Sequence, residues 1–184
     1  MLTALMALAL ILALAQPAQA QKVRLATSQG DIVLELDGDR APKTVANFLQ
    51  YVRAGHYDGT VFHRVIPGFM IQGGGMKENL SEKPTRPPIA LESRNGLSNQ
   101  RGSIAMARTS VPESATSQFF INVVDNLMLD QANASDGHGY AVFGKVAEGM
   151  DVVDLIRAVP TASQGRLQNV PVKPVLINKA SVEK

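Results

Sequence analysis

The residues of this sequence that could do chemistry are concentrated between Val61 and Gly75, around a single arginine. If residues 60 to 66 form a β-strand, their side chains alternate between its two faces. Arg64 would then share a face with Phe62 and Ile66. Because arginine is seldom buried without a partner and keeps its proton, two interpretations are open. Arg64 is either a functional cation or a structural residue that lies at a strand end, extends to solvent or pairs with an internal carboxylate.

Apolar and amide side chains follow this arginine closely. Phe69, Met70 and Gln72 add apolar surface and one amide, although core packing is the ordinary role of the first two. The three glycines at 73 to 75 resemble a phosphate-binding loop only superficially, because no Lys-Ser or Lys-Thr pair follows them. The segment therefore indicates apolar surface near Arg64 and no phosphate site.

Two later segments have the pattern of strands that could line a groove. On a strand, Gln118 and Phe120 share one face, so that the opposite face is free to enter the core. The segment from Gly102 to Arg108 carries small and flexible apolar residues, which suit a strand that another chain approaches closely.

Most other kinds of active site are excluded because the sequence lacks the residue types or motifs that they need. The chain has no cysteine, so thiolate catalysis, disulfides and Cys-ligated metals are ruled out. His56 and His63 have no third ligand at a metal-binding spacing, no Gly-x-Ser-x-Gly segment occurs, and the carboxylates are scattered. The net charge is only +2, without a basic run that would indicate nucleic-acid binding. What remains is a reaction that needs no nucleophile, metal or proton transfer.

Short strands and two helices must position these residues. Alternating residues at 23–27 and 31–36 flank a glycine-containing turn, which predicts a hairpin. Helices are predicted from Pro42 to Gly55 and from Gly149 to Ala158, and a long loop from Met76 to Arg101 is typical of a functional or disordered segment. The other predicted strands cover residues 60–66, 69–72, 102–107, 118–123, 140–146 and 174–180. This pattern favours a closed antiparallel β-barrel.

The first twenty residues have the pattern of a signal peptide. An apolar run from Met1 to Ala15 is followed by Ala18-Gln19-Ala20, which has small residues at the two positions that signal peptidase reads. The run is shorter than the roughly 20 residues of a membrane-spanning helix, and no Lys or Arg precedes it. We predict cleavage after Ala20, which leaves one domain of residues 21–184 without a membrane attachment. A monomer is the default expectation for such a domain.

Three segments resemble the signature motifs of the cyclophilins. They are Phe62 to Gly74, Ser117 to Ile121 and Tyr140 to Val146. The stretches from Ile71 to Gly75 and from Asn95 to Arg108 are similar to the periplasmic cyclophilins of Gram-negative bacteria. The resemblance covers essentially all of residues 21–184. It implies a periplasmic peptidyl-prolyl cis-trans isomerase without a cofactor, folded as an eight-stranded β-barrel closed by two helices, with the substrate groove outside the barrel.

The resemblance also implies a role for each candidate residue. Arg64 would be catalytic, and Gln72 would hold Arg64 and the substrate backbone. The apolar pocket for the proline ring would consist of Phe69, Met70, Phe120 and Leu129. The neighbouring groove, which would pair with the peptide main chain, would be lined by Ala107, Arg108 and Gln118.

Two positions depart from the pattern of many eukaryotic cyclophilins. Met128 stands where they carry a tryptophan beside the pocket, and Tyr140 stands where they carry a histidine near its edge. Because the resemblance makes the tryptophan important for cyclosporin, we expect weak cyclosporin binding with activity retained. The expected partners are unfolded or partly folded polypeptides that contain proline. The main alternative is a non-catalytic module, a chaperone or scaffold that binds proline-containing segments.

Overall fold

Eight strands of the chain close into an antiparallel barrel in the computed structural model, which describes residues 21–183. The strands of the chain are β1 (Gln21–Thr27), β2 (Gly30–Leu36), β3 (Thr60–Ile66), β4 (Met70–Lys77), β5 (Ser103–Met106), β6 (Phe119–Asn122), β7 (Val142–Glu148), β8 (Thr161–Gln164), β9 (Leu167–Pro171) and β10 (Leu176–Val182). Around the barrel the order is β1-β10-β3-β4-β6-β5-β7-β2. The predicted eight-stranded barrel with two helices is confirmed.

Two strands lie outside the barrel and were not predicted from the sequence. β8 and β9 pair only with each other as an antiparallel hairpin, and β9 lies against β3. Most residues of β8 are exposed. An exposed strand needs no alternation of apolar and polar residues, so the pattern that predicts half-buried strands is absent there.

The two helices are close to their predicted positions. Helix α1 (Pro42–Arg53) has proline in its first turn and buries the predicted apolar stripe, which includes Phe48. The Phe48 ring contacts the rings of Phe119 and Phe143 in the barrel core, at centroid distances of 5.7 and 5.1 Å. Helix α2 (Met150–Arg157) follows Gly149, whose φ of 88° is unfavourable for other residues. None of the helices described in residues 21–183 is long and apolar enough to cross a membrane.

The long segment between β4 and β5 is packed against helix α1. The Glu92 carboxylate accepts hydrogen bonds from the backbone N–H groups of Lys43 and Thr44 and from the Thr44 hydroxyl. These N–H groups lie in the first turn of α1, where they lack partners within the helix. A negative charge there also interacts favourably with the helix dipole. One carboxylate therefore attaches the loop to the helix. The predicted signal peptide, residues 1–20, lies outside the described residues.

The β3–β4 pairing departs from simple alternation. Phe62 pairs with Gly73 and Arg64 pairs with Gln72, so two steps along β3 correspond to one step along β4. This shift is a β-bulge in which His63 is the extra residue. Phe62 consequently enters the barrel core, where it is fully buried, while Arg64 is only half-buried. The prediction that Phe62 and Arg64 share a face is therefore wrong.

Candidate active site

The strand register places five residues side by side across the outer face of the barrel. Arg64 pairs with Gln72, Gln72 with Phe120, Phe120 with Ala105, and Ala105 with Val142. Residues directly opposite one another on neighbouring strands have adjacent side chains on the same face. The row therefore runs from a cation through an amide to apolar side chains.

At the polar end of the row, three side chains form a hydrogen-bonded chain. Arg64 Nη1 donates to Gln72 Oε1 at 3.3 Å, and Gln72 Nε2 donates to Gln118 Oε1 at 2.9 Å. Because a guanidinium has only donors, the Gln72 oxygen must face Arg64 and its amide nitrogen must face Gln118. Gln118 thus orients Gln72, which in turn orients Arg64.

The guanidinium of Arg64 has no carboxylate partner in the described part of the chain. It is two residues from the end of β3, is half-buried, and forms no ion pair with any side chain of residues 21–183. The interpretation as an arginine paired with an internal carboxylate is therefore wrong. An incompletely satisfied cation beside apolar surface is typical of a functional group.

At the apolar end of the row, a second hydrophobic cluster lies outside the barrel core. Its buried members are Met70, Ala105, Phe120 and Val142, and the partly buried residues packed against them are Ile66, Phe69, Leu97, Ala107, Leu129 and Tyr140. All four residues predicted to form the apolar pocket belong to this cluster. Ala105, Val142 and Leu97 were missed. Alternation would have found the first two, because each lies two positions from a predicted site residue, Ala107 and Tyr140 respectively.

Met128 lies at the rim of this cluster. It is in a 3-10 turn, Leu127–Leu129, and its side chain is 59 % exposed, whereas Leu129 beside it packs on the cluster. Buried amides position this turn: Asn126 Nδ2 donates to the Phe69 carbonyl at 2.8 Å and to Asn122 Oδ1 at 2.7 Å. The same network therefore positions Phe69 and the turn relative to each other.

The glycines of β4 make room for neighbouring side chains. A Cβ on Gly75 would lie 2.4 Å from Cγ of Gln118, and a Cβ on Gly74 would lie 2.8 Å from the rings of Phe119 and Tyr57. Both distances are far inside ordinary contact. The physical role of this glycine pair is close packing, and at Gly75 that packing positions the Gln118 side chain.

The side chain of Arg108 is not available as a free donor. It is 2 % exposed; Nε donates to the Gly139 carbonyl at 2.9 Å, Nη1 donates to the Thr109 carbonyl at 3.0 Å, and Nη2 pairs with Asp136. Its hydrogen bond, together with two from backbone N–H groups, lowers the pKa of Asp136 far below its usual value. Any pairing of Arg108 with a peptide must therefore use its backbone.

His63, the bulged residue next to Arg64, is buried without a full set of hydrogen bonds. His63 is 5 % exposed, and its Nδ1 atom has no hydrogen-bond partner in the described part of the chain. Burial, and to a lesser extent the charge of Arg64, lowers the pKa of His63 to about 4, against an opposing hydrogen bond with the backbone of Val61. His63 is therefore neutral at pH 7. Within residues 21–183, no group of three His, Asp or Glu side chains could hold a metal ion.

Comparison with known proteins assigns the family. Residues 22–182 match the profile of the family described as cyclophilin type peptidyl-prolyl cis-trans isomerase/CLD. The chain belongs to this family. Peptidyl-prolyl cis-trans isomerase A of Dickeya dadantii is 55 % identical over 162 residues, which cover 88 % of this chain and 84 % of that protein. Peptidyl-prolyl cis-trans isomerase B of Escherichia coli is 54 % identical over 157 residues, covering 85 % and 96 %.

A solved structure agrees with the barrel. The cyclophilin type peptidyl-prolyl cis-trans isomerase of Cryptosporidium parvum, determined in the presence of the dipeptide Ala-Pro, has a TM-score of 0.73 and 27 % identity. The match covers 89 % of this chain and 99 % of that one. The present cyclophilin is thus a peptidyl-prolyl cis-trans isomerase, as the sequence resemblance implied.

The packing of Gln118 on Gly75 leads to a prediction for activity. We expect Gly75→Ala to lower kcat/KM by about tenfold, a loss of about 1.4 kcal/mol in transition-state stabilisation, because Gln118 must move away from Gln72. The measurement is isomerisation of a proline tetrapeptide by folded protein. Gly38→Ala is the matched control, since a Cβ there would meet only Val45 at 4.0 Å. Unchanged kcat/KM in a folded Gly75→Ala variant would contradict the prediction.

The lowered pKa of His63 predicts a loss of stability in acid. Stability is full above pH 6.5 and falls by up to about 3 kcal/mol as the pH drops to about 4, because only the unfolded chain binds a proton at His63 in this range. The lowered pKa of His56 acts in the same direction. Urea unfolding at several pH values should show a smaller acid loss for His63→Asn than for the wild type. The exposed His138→Asn variant should behave like the wild type, and an equal acid loss in all three proteins would refute the assignment.

Proposed function

We propose that Arg64 accelerates rotation of X-Pro bonds by donating a hydrogen bond to the prolyl nitrogen in the twisted transition state. Resonance gives an amide a rotational barrier of roughly 18–20 kcal/mol. When the bond twists, resonance is lost and the nitrogen gains a lone pair that can accept a hydrogen bond. A donor that binds only this state lowers the barrier without tightening the ground state.

The observation that carries this proposal is the position of Arg64 between an orienting amide and an apolar cluster. The chain from Gln118 through Gln72 supports a fixed guanidinium, since each amide has its orientation set by its neighbour. No carboxylate of residues 21–183 neutralises the charge by an ion pair. The chemistry needs no covalent intermediate, because isomerisation breaks no bond.

The apolar cluster is proposed to bind the proline ring. Phe69, Met70, Phe120 and Leu129 offer a surface on which a ring without a backbone N–H can be desolvated. Gripping this ring while the preceding carbonyl swings is what the rotation requires. A proline-containing dipeptide, Ala-Pro, was present with the related cyclophilin of Cryptosporidium parvum, which is consistent with proline-containing peptides as the ligand class.

The polar groups beside the cluster are proposed to align the peptide. Gln72 would contact the substrate main chain as well as Arg64, and Ala107, Arg108 and Gln118 would pair with it in the groove. For Arg108 this pairing uses the backbone, because its side-chain donors are engaged elsewhere. Met128 and Tyr140 are proposed to border the pocket.

Removal of the arginine tests the proposal. We expect Arg64→Ala to lower kcat/KM by about 100-fold or more, as happens when a preorganised transition-state donor is lost. Isomerisation of a proline tetrapeptide measures this, and circular dichroism checks the fold. Arg24→Ala is the control, since Arg24 lies in β1, is partly exposed and is paired with Asp31 and Glu183.

The same experiment separates catalysis from binding alone. A non-catalytic module for proline-containing segments, acting as a chaperone or scaffold, needs no donor at the prolyl nitrogen. Near-normal turnover by a folded Arg64→Ala variant would contradict the proposed role of Arg64. Binding of the peptide by wild-type protein without turnover would leave the binding module as the function.

We also propose that the enzyme works in the periplasm as a single domain, residues 21–184, on proline-containing polypeptides that have not finished folding. The support is the signal-peptide pattern of residues 1–20, with small residues at Ala18 and Ala20. In this proposal the enzyme is monomeric, is not attached to the membrane after cleavage and does not bind nucleic acid.

Expression of the full chain in a Gram-negative bacterium tests the export step. We expect the protein in the periplasmic fraction, with an intact mass that begins at Gln21. Ala20→Lys should block processing, because signal peptidase needs a small residue there. A chain that begins at Gln21 after an initiator methionine should remain in the cytoplasm. Uncleaved full chain in the cytoplasm of the wild-type strain would contradict the proposal.

A further inference from the structure

The loop before Tyr140 is attached to the barrel by one buried guanidinium. Arg108 lies just after β5, and its side chain reaches the Gly139 carbonyl at 2.9 Å and the Asp136 carboxylate. The other Asp136 oxygen accepts hydrogen bonds from the N–H groups of His138 and Gly139, at 2.9 and 3.1 Å. Arg108 and Asp136 therefore fix the backbone that leads directly into Tyr140.

The same guanidinium also contacts the Tyr140 ring. Its Cζ lies 4.5 Å from the ring centroid, within the range of a cation–π interaction. On the cluster side, the Tyr140 ring meets the Phe120 ring edge-on, with centroids 5.6 Å apart and planes at 81°. Tyr140 is thus held between a buried cation and a residue of the proposed proline pocket.

The backbone around Tyr140 is packed too closely to compensate for loss of this contact by a small shift. The N–H of Tyr140 donates to the Leu129 carbonyl at 2.9 Å. A Cβ on Gly139 would lie 2.7 Å from that carbonyl oxygen and 2.6 Å from the Gln131 nitrogen. The position of Leu129, itself part of the apolar cluster, is therefore linked to the same loop.

We propose that Arg108 is a positioning residue that sets the affinity of the proline pocket through Tyr140. The buried guanidinium, held by Asp136 and the Gly139 carbonyl, fixes the Tyr140 ring against Phe120 and so shapes one wall of the pocket. This proposal rests on the proposed function of the apolar cluster and is independent of the role of Arg64. Because the Arg108 side chain reaches the pocket through the Tyr140 ring, it acts on substrate binding and not on the twisted bond.

The expected signature is a change in KM without a change in kcat. Arg108→Met keeps the unbranched stem but removes the cation. We expect KM for a proline tetrapeptide to rise by about fivefold, the effect of losing one cation–π contact, while kcat changes less than about twofold. Asp136→Asn should shift KM in the same direction. Asp154→Asn is the matched control, because Asp154 lies in α2, pairs with Arg101 and Arg157 and is not part of the apolar cluster.

A double-mutant cycle tests whether Arg108 acts through the ring. In a Tyr140→Leu background, Arg108→Met should have almost no further effect on KM, since the ring it positions is absent. Tyr140→Phe, which keeps the ring, should retain the response of KM to Arg108→Met. These measurements are made on variants whose circular dichroism matches the wild type.

Three outcomes would overturn the proposal. They are an unchanged KM in both Arg108→Met and Asp136→Asn, additive effects of Arg108→Met and Tyr140→Leu, and a fall in kcat at constant KM. An equal rise in KM for Asp154→Asn and Asp136→Asn would also count against the proposal, since a general loss of rigidity in the fold would then be the cause. Failure of the Arg64 assignment is recognised separately, by turnover that survives Arg64→Ala while the KM effects of Arg108→Met persist.

Discussion

The strand register of the closed barrel is the constraint on which the candidate site depends. In a closed barrel every strand has two partners, so a slip of one residue would turn each side chain to the opposite face. The bulge at His63 is an example of this constraint. Because His63 is an extra residue in β3, Phe62 enters the core while Arg64 pairs with Gln72 on the outer face. One bulge therefore lets a strand supply a core residue, a buried histidine and an external cation in succession.

Hydrogen-bonded amides then convert this register into a fixed geometry. Gln72 and Gln118 orient one another beside Arg64, while Asn126 and Asn122 attach the 3-10 turn to the Phe69 carbonyl. A buried amide is costly to leave unsatisfied, so each network resists rearrangement. Isomerisation requires no metal or nucleophile, and a rigid arrangement of one donor and an apolar surface suits a reaction of this kind.

Two arginines illustrate how environment separates residues of the same type. Arg64 is half-buried and contacts an amide, which leaves its charge without an ion-pair partner in residues 21–183. Arg108 has a buried side chain with a carboxylate, two carbonyls and an aromatic ring around it. The first therefore keeps an unpaired charge at the surface of the apolar cluster, whereas the second is satisfied within the protein. The Tyr140 ring lies between the Arg108 guanidinium and Phe120 of the apolar cluster.

Much of this protein follows from its sequence alone. The hairpin of β1 and β2, both helices, the barrel and the cluster residues Phe69, Met70, Phe120 and Leu129 were predicted, because periodic apolar residues and family motifs are local signals. The face of Phe62, the buried side chain of Arg108 and the contribution of Ala105 were decided by tertiary structure. A bulge depends on pairing between two strands, the burial of an arginine depends on a carboxylate 28 residues away, and an alanine becomes a pocket residue only through its neighbours. The exposed strand β8 likewise had no buried face to mark it in the sequence.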